Sequence, residues 1–277
     1  MKAQKAIACL LAGTLAAASK GLCLFGAGAN AADLAAISIS TVIAGEDGSF
    51  VTTVNLDTLP ETGLCAMDFA VAYDSAALDI SKIELLYDTG AEDAEKRVSP
   101  DFEGTVFSCE DIGGEIRVRW ATALKNADYW LREERPLLQI SGTMHTDTSQ
   151  NWSRLRLIPA TRETFEGSGV QNTTIVAGYV DSNGKTYNCK TMLTDGVVWR
   201  VLEDGVTMRG DLNMDARLTI SDAVMVYKLV NEQELTLGAA AYANADCKPD
   251  GLLTMADVAL ILQNLEREPE DAALAAD

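Results

Sequence analysis

Met67-Asp-Phe-Ala-Val-Ala-Tyr73 decides the first two thirds of the chain. Its large apolar side chains, Met67, Phe69, Val71 and Tyr73, fall at every second position, with Asp68, Ala70 and Ala72 between them. Successive side chains of an extended chain point to opposite faces, so this alternation is the mark of a half-buried strand. The same pattern returns in Phe50–Leu56, Glu115–Trp120, Leu137–Met144, Arg154–Ile158, Thr174–Val180 and Val197–Val201, with Gly, Asp and Asn between the runs. A helical pattern is scarce before Leu202; Asp128 to Arg135 has room for one or two turns. Many short alternating runs between Ile37 and Leu202 imply a mainly β fold, an antiparallel β-sandwich over residues 33–202.

The pattern changes after Asp204. Asp222–Val230 and Asp257–Leu265 both space their apolar residues as a helix does, and the two runs lie 35 residues apart, which marks an internal duplication. Each is preceded by a loop rich in oxygen side chains. In Asp211–Asp222, oxygens stand at positions one (Asp211), three (Asn213), five (Asp215), nine (Thr219) and twelve (Asp222). That spacing wraps a hard cation with six or seven oxygens, the carbonyl of Arg217 supplying position seven. Position six, where the backbone turns sharply, holds Ala216 in place of the usual Gly. The second loop offers Asp246, Asp250, the Leu252 carbonyl and Asp257, and has the glycine, Gly251. Its position three is Lys248, whose ammonium either swings away or takes the cation's place. One calcium ion is expected, with the second site open.

The N-terminus carries Lys2 and Lys5, an uncharged run from Ala6 to Ala18, and a small-residue stretch ending at Ala29 and Ala31. Residues 1–31 read as a secretory leader, too short in apolar length to span a bilayer. Its loss removes three lysines and no acid from a chain of formal charge −19, so the exported form is more acidic still. No basic footprint for nucleic acid is present. The four cysteines outside the leader, Cys65, Cys109, Cys189 and Cys247, lack any CxxC spacing; a disulfide or free thiols are both open. Residues 203–208 form a short linker, 209–266 the paired-loop module and 267–277 an acidic tail.

Gly210-Asp-Leu-Asn-Met-Asp and Ala245-Asp-Cys-Lys-Pro-Asp-Gly, each running into a helix that starts with an acid, resemble a dockerin, a small α-helical module with paired EF-hand-like calcium loops. The residues before Asp211 read as strand end and linker, which suits that family. The resemblance implies partner recognition by Ile220, Ser221, Lys228 and Leu229 in the first unit, and by Met255, Ala256, Gln263 and Asn264 in the second. Val224, Val226, Leu260 and Ile261 read as packing between the helices. Gly63-Leu through Tyr73-Asp74 and on to Leu78-Asp-Ile80, with Gly113–Ala121, Leu137–Met144 and Thr194-Asp-Gly-Val-Val198, resembles a cohesin, the jelly-roll-like domain that receives dockerins. That resemblance implies a docking face containing Asp68, with Arg117 and Arg119 on the same outward side.

Taken together the chain is similar to adaptor scaffoldins of ruminococcal type. The resemblance implies a secreted, extracellular, cell-surface-associated and non-catalytic protein of a cellulosome-like complex. Its partners would be the dockerin of a cellulosomal enzyme and the cohesin of a larger scaffoldin. A dockerin-appended carbohydrate-binding module is the first alternative, since Trp120, Trp130, Trp152 and Trp199 could stack on sugar rings, although Trp120 and Trp199 sit in strand patterns. A small dockerin-bearing polysaccharide hydrolase is the second. His145 is the only histidine, and no nucleophile or zinc motif stands beside it.

Overall fold

The computed structural model describes residues 34–86, 105–124, 129–145, 150–164, 167–181, 183–202 and 205–265. The leader, residues 203–204 of the linker and the acidic tail lie outside the described residues.

Thirteen described strands form two sheets. The first sheet has the order β12 (Lys190–Thr194), β1 (Leu34–Ile39), β3 (Ser49–Thr58), β8 (Arg135–Met144), β5 (Leu78–Leu85). The second is centred on β4 (Ala66–Ala72). One edge of β4 pairs with β7 (Glu115–Thr122), which carries β6 (Thr105–Asp111) beyond it. The other edge is shared: Ala66–Asp68 pair with β10 (Val176–Val180), and Ala70–Ala72 pair with β9 (Trp152–Ile158). Beyond β10 lies β11 (Thr186–Asn188), and beyond β9 lie β13 (Gly196–Trp199) and β2 (Val42–Ile43). All pairings are antiparallel except β1 with β12 and β13 with β2, which close the sandwich with N-terminal strands beside C-terminal ones.

The alternating side chains meet between the sheets. Ile37, Leu56, Leu138 and Ile140 from one sheet and Phe69, Ile116, Leu155 and Val198 from the other are almost wholly buried in one cluster. Each such side chain contributes roughly 1.5–3 kcal/mol on burial. Three of the four tryptophans, Trp120, Trp130 and Trp199, are buried as well. Every run expected as a strand is one, to within a few residues at its ends. Of the stretch given room for a helical turn, Asp128 lies outside the described residues, Tyr129 stands in a 3₁₀ turn, and Arg135 already begins β8.

After β13 the chain forms α1 (Ile220–Val230), α2 (Ala239–Asn244) and α3 (Met255–Leu265). Helices α1 and α3 are the expected pair. Leu212, Ala223, Val226, Ala245, Val258 and Ile261 make a second, smaller core. Helix α2 was not visible in the sequence, because an Ala-rich stretch of six residues has no amphipathic period to read. It ends at Asn244, a fully buried side chain that accepts hydrogen bonds from the Thr207 and Met208 N–H groups at 3.0 and 3.2 Å. Its amide donates to the Thr207 hydroxyl and to the Asp211 carbonyl. Val206 and Thr207 are buried, so this part of the joint is packed structure rather than a free tether.

One position shows how tightly the first sheet is built. Gly142 of β8 faces the Phe50 ring, and a Cβ there would run into the Asp79 carbonyl of β5 and lie 2.8 Å from Phe50. Gly142→Ala is expected to lower unfolding stability by about 2–3 kcal/mol, measured by urea denaturation; a loss below half a kcal/mol would show that the sheet yields there.

Candidate functional site

The two loops after β13 share one geometry at the 35-residue offset. Asp211 accepts the N–H groups of Asp215 (3.2 Å) and Ala216 (2.9 Å), and Asp246 accepts those of Asp250 (3.2 Å) and Gly251 (2.9 Å). Asp215 accepts the Arg217 N–H at 2.9 Å, and Asp250 the Leu252 N–H at 3.0 Å. At position twelve, Asp222 reaches back to Leu212 N–H at 3.0 Å and to Thr219 N–H at 2.9 Å. Asp257 does the same with Lys248 N–H at 3.0 Å and Thr254 N–H at 2.8 Å. Each position-twelve aspartate thus ties the front of its loop to the first turn of its helix, where the N-terminal dipole also favours a carboxylate.

Asp211, Asp222 and Asp257 are fully buried, and the cation nearest to them in effect is Lys248, which feels Asp257 but bonds to Asp250. Burying an uncompensated carboxylate costs several kcal/mol unless it takes up a proton or a cation. Burial, joined by repulsion from Asp222 and Asp215, pushes the Asp211 carboxyl up to about 7 against the opposing N–H bonds. Among the described residues no group of three or more His, Cys, Asp or Glu side chains is drawn together as a metal centre. Their oxygens turn to loop N–H groups, and a cation would draw also on Asn213 and the carbonyls of Arg217 and Leu252.

The position-six backbone is left-handed in both loops, with φ of 60° at Ala216 and 77° at Gly251. In the second loop the Lys248 ammonium lies 3.0 Å from Asp250 Oδ2 while its side chain stays largely exposed, so it takes the position-five carboxylate from the solvent side. That hydrogen bond holds the Asp250 carboxyl below its usual range.

Helices α1 and α3 divide their faces. Val226 and Ile261 are wholly buried, as expected of residues between the helices. Val224, expected there too, is 45% exposed, because it stands two residues from Val226 and so on the far side of the helix. With Ile220 and Tyr227 it forms an exposed apolar stripe at spacing i, i+4, i+7; on α3 Met255 and Leu262 are exposed one i, i+7 step apart, and Leu252 is exposed in the loop before it. Of the residues that the dockerin resemblance implies, Ile220, Ser221, Met255, Ala256, Gln263 and Asn264 are exposed, and Lys228 and Leu229 are half-buried. Tyr227 was missed, although the 220–224–227 spacing was its signal.

On the sandwich, Asp68, Arg117 and Arg119 do share the outer side of β4 and β7, but Asp68 is only 1% exposed. Arg119 Nε donates to it at 3.1 Å, and Arg162 donates to the same oxygen from the segment after β9. That segment also gives Thr161 N–H to Glu115 at 2.8 Å and takes a hydrogen bond from Arg117 on the Thr161 carbonyl at 2.5 Å. Burial raises Glu115, but the Thr161 and Arg117 hydrogen bonds outweigh it and hold the carboxyl below its usual range. Alternation showed which side Asp68 faces and not that the chain returns to cover it. Arg117 and Arg119 keep about a third of their side-chain surface open, 30% and 31%.

Trp152 is the one half-exposed tryptophan among the described residues. It borders a cleft of about 460 Å³ with Tyr73, Asp74, Arg154 and Arg156. Its ring lies under Arg154 at 5.6 Å and against Trp199 at 6.4 Å. His145 is bound to the Ala76 carbonyl at 2.9 Å and the Asp79 carboxylate at 2.7 Å. The four cysteines are free, and burial pushes Cys65 up to about 12.

Asp211 sets a pH dependence. Between 3.8 and about 7 the folded chain retains a proton that the unfolded chain has released. Stability in chelator is therefore expected to fall as pH rises through that window and to level off above it. Asp211→Asn should flatten the slope in thermal melts from pH 4 to 8; an unchanged slope would assign it to another group.

No protein-family model matches the chain, and no curated protein sequence matches it. Among solved structures it is similar to the seventh type I cohesin of ScaB from Pseudobacteroides cellulosolvens, at 15% identity and a TM-score of 0.45, over 61% of this chain and 92% of that one. It is similar to the sixth cohesin of scaffoldin B from Acetivibrio cellulolyticus, solved with a mutant Cel5 dockerin, at 15% identity and a TM-score of 0.43, over 60% and 98%. A non-cellulosomal cohesin from Archaeoglobus fulgidus matches at 13% identity and a TM-score of 0.40, over 61% and 93%. Likeness at this level assigns no family.

Proposed function

We propose that this protein is a non-catalytic adaptor with two docking ends. Residues 209–266 act as a calcium-dependent dockerin that docks on a cohesin of a larger scaffoldin, and residues 33–202 act as a cohesin that receives a dockerin-bearing enzyme. The observation that carries the reading is the duplicated loop-and-helix unit. Its two helices each bury one face on the other and leave apolar side chains open, Ile220, Val224 and Tyr227 on α1 and Met255 and Leu262 on α3, with Leu252 of the loop beside them. Exposed apolar rows on a small acidic module are what a protein partner covers. Calcium supplies the charge that the buried aspartates otherwise lack, and binding to the folded state alone makes it a stabiliser. Export through the leader delivers the protein to the extracellular, calcium-rich side where such loops fill.

The carbohydrate-binding alternative loses ground, since Trp120, Trp130 and Trp199 are core and the Trp152 ring is already flanked. The hydrolase alternative loses ground in the same way: Glu115 is committed to Thr161 and Arg117, and Asp68 gives one oxygen to Arg119 and Arg162 and has almost no exposed surface for a substrate. Because Asp68 is covered, a dockerin on the sandwich meets Arg117, Arg119 and residues 161–164 and not the Asp68 carboxylate.

The mature chain, from residue 33, is to be tested against arrays of dockerins, cohesins and plant polysaccharides. Expected are binding to a dockerin and to a cohesin and none to sugar. Tight cellulose or xylan binding with no protein partner would support the carbohydrate-binding alternative, and released reducing sugar the hydrolase. Chelation should abolish cohesin binding and lower the melting temperature of the C-terminal module. Tyr227→Asp should weaken cohesin binding at least tenfold with calcium-dependent stability retained; unchanged affinity would move the docking face elsewhere.

A further inference from the structure

The two loops differ in what lies behind them. Behind the first is the sandwich. The Trp199 indole N–H donates to the Met214 carbonyl at 3.0 Å, and Arg154 Nη2 donates to the Asp215 carbonyl at 2.7 Å and reaches the Ala216 carbonyl at 3.4 Å. These are three consecutive peptides. Their N–H groups point the other way, into the loop: Asp215 N–H and Ala216 N–H to Asp211, and Arg217 N–H to Asp215. In a planar trans peptide the C=O and N–H point in opposite directions, so holding the carbonyls outward aims the N–H groups inward.

The second loop makes the same three inward bonds through Asp250, Gly251 and Leu252. Among the described residues nothing donates to its outward carbonyls at Pro249, Asp250 and Gly251. The position-six residues follow this difference. A Cβ at Gly251 would meet nothing within 4 Å. The Ala216 side chain is 9% exposed and packs with Val197 and Trp199, with Trp152, Met208 and Met214 around them. The left-handed turn that glycine adopts freely in the second loop is imposed in the first by a surface outside it.

We propose that the sandwich is a working part of the first cation site. Arg154 and Trp199 are positioning residues: they touch no cation ligand oxygen and act by orienting the peptides whose N–H groups fix the Asp211 and Asp215 carboxylates. The first loop's affinity for a divalent cation therefore depends on the sandwich, and the second loop's does not. The inference rests on the calcium reading above and adds the coupling between the two halves of the chain.

Arg156 supplies the control. It stands two residues from Arg154 on β9, pairs with β4 through its backbone, is exposed, and its side chain has no hydrogen-bond or ion-pair partner among the described residues. Arg154→Met and Arg156→Met remove the same charge from the same strand. By Coulomb's law, losing a nearby cation strengthens calcium binding or leaves it unchanged, so a weakening in Arg154→Met alone reports positioning.

Calcium is titrated calorimetrically into the chelator-stripped full chain and into both variants. Expected are a loss of about tenfold in the affinity of one site for Arg154→Met, the size of one charge-assisted hydrogen bond, and no loss for Arg156→Met. Adding Ala216→Gly to Arg154→Met should recover part of the loss. In the unsubstituted chain the Trp199 indole N–H resonance should move on calcium addition, which does not depend on any variant folding. Equal affinities in all chains, or an unmoved Trp199 resonance in a chain that binds calcium, would overturn the coupling alone. No calcium binding by the unsubstituted chain would overturn the calcium reading and the coupling with it.

Discussion

Trp199 is the side chain on which the arrangement of the two halves depends. It is fully buried at the end of β13, and its backbone pairs with β9 through Trp152 and with β2 through Ile43. Its carbonyl accepts the Ala44 N–H at 2.7 Å, so the strand is hydrogen-bonded to its last residue. The ring leaves the sandwich core and enters the cluster with Val197 and Ala216, and the indole N–H then reaches Met214. A buried tryptophan must place its one donor, and here the available acceptor belongs to the loop of the other unit. One side chain thus ends the sandwich and begins the module. Asn244 performs the complementary closure from α2 by satisfying Thr207, Met208 and Asp211 around the same joint.

What was legible in the sequence follows from what periodicity can encode. Met67, Phe69 and Val71 alternate because one side of β4 meets the opposite sheet, and that side was read correctly. The other side of β4 carries Ala66, Asp68 and Ala70, all buried, with Asp68 bonded to Arg162 of the segment that follows β9. Small and polar residues are what a solvated face and a face under an irregular strap have in common. Nothing in the alternation separates them, and the deciding residue, Arg162, stands 94 positions away from Asp68. Val224 failed for a simpler reason. Both Val224 and Val226 are apolar, and only the helix phase set by Asp222, Ala223 and Val226 tells which of them the partner helix covers. The short β2 and β11 and the six-residue α2 carry too few side chains for any period to show.

The loops Asp211–Asp222 and Asp246–Asp257 are alike in their hydrogen bonds and unlike in their surroundings, and this accounts for residues that look like defects. Ala216 in place of glycine would cost the first loop about 1–2 kcal/mol if the turn stood alone. It stands instead against Trp199, where the methyl is buried contact surface. Lys248 in place of an oxygen ligand is compensated within the second loop by Asp250. Each substitution is accommodated where its own loop has neighbours to do so: a packed surface for the first, and a solvent-facing carboxylate for the second.

The arginines of this acidic chain serve backbone carbonyls as well as carboxylates. With 41 acids present, the 22 basic residues could be expected to spend themselves on surface ion pairs. Several arginines donate instead to backbone carbonyls of irregular segments: Arg117 to Thr161, Arg154 to Asp215, Arg162 to Glu163, Arg200 to His145 and Arg209 to Asp246. Carbonyls outside helices and sheets lack a ladder partner, and leaving one buried and unpaired costs about 1–3 kcal/mol. A guanidinium brings five donors and a long apolar stem, so it can cross from a regular strand to an irregular neighbour and satisfy it without itself needing to be fully buried. Exposed ion pairs add little stability and are screened by salt. Through such carbonyl bonds Arg117 ties the segment after β9 to β7, Arg154 ties the first loop to β9, and Arg209 ties the second loop to the start of its own module.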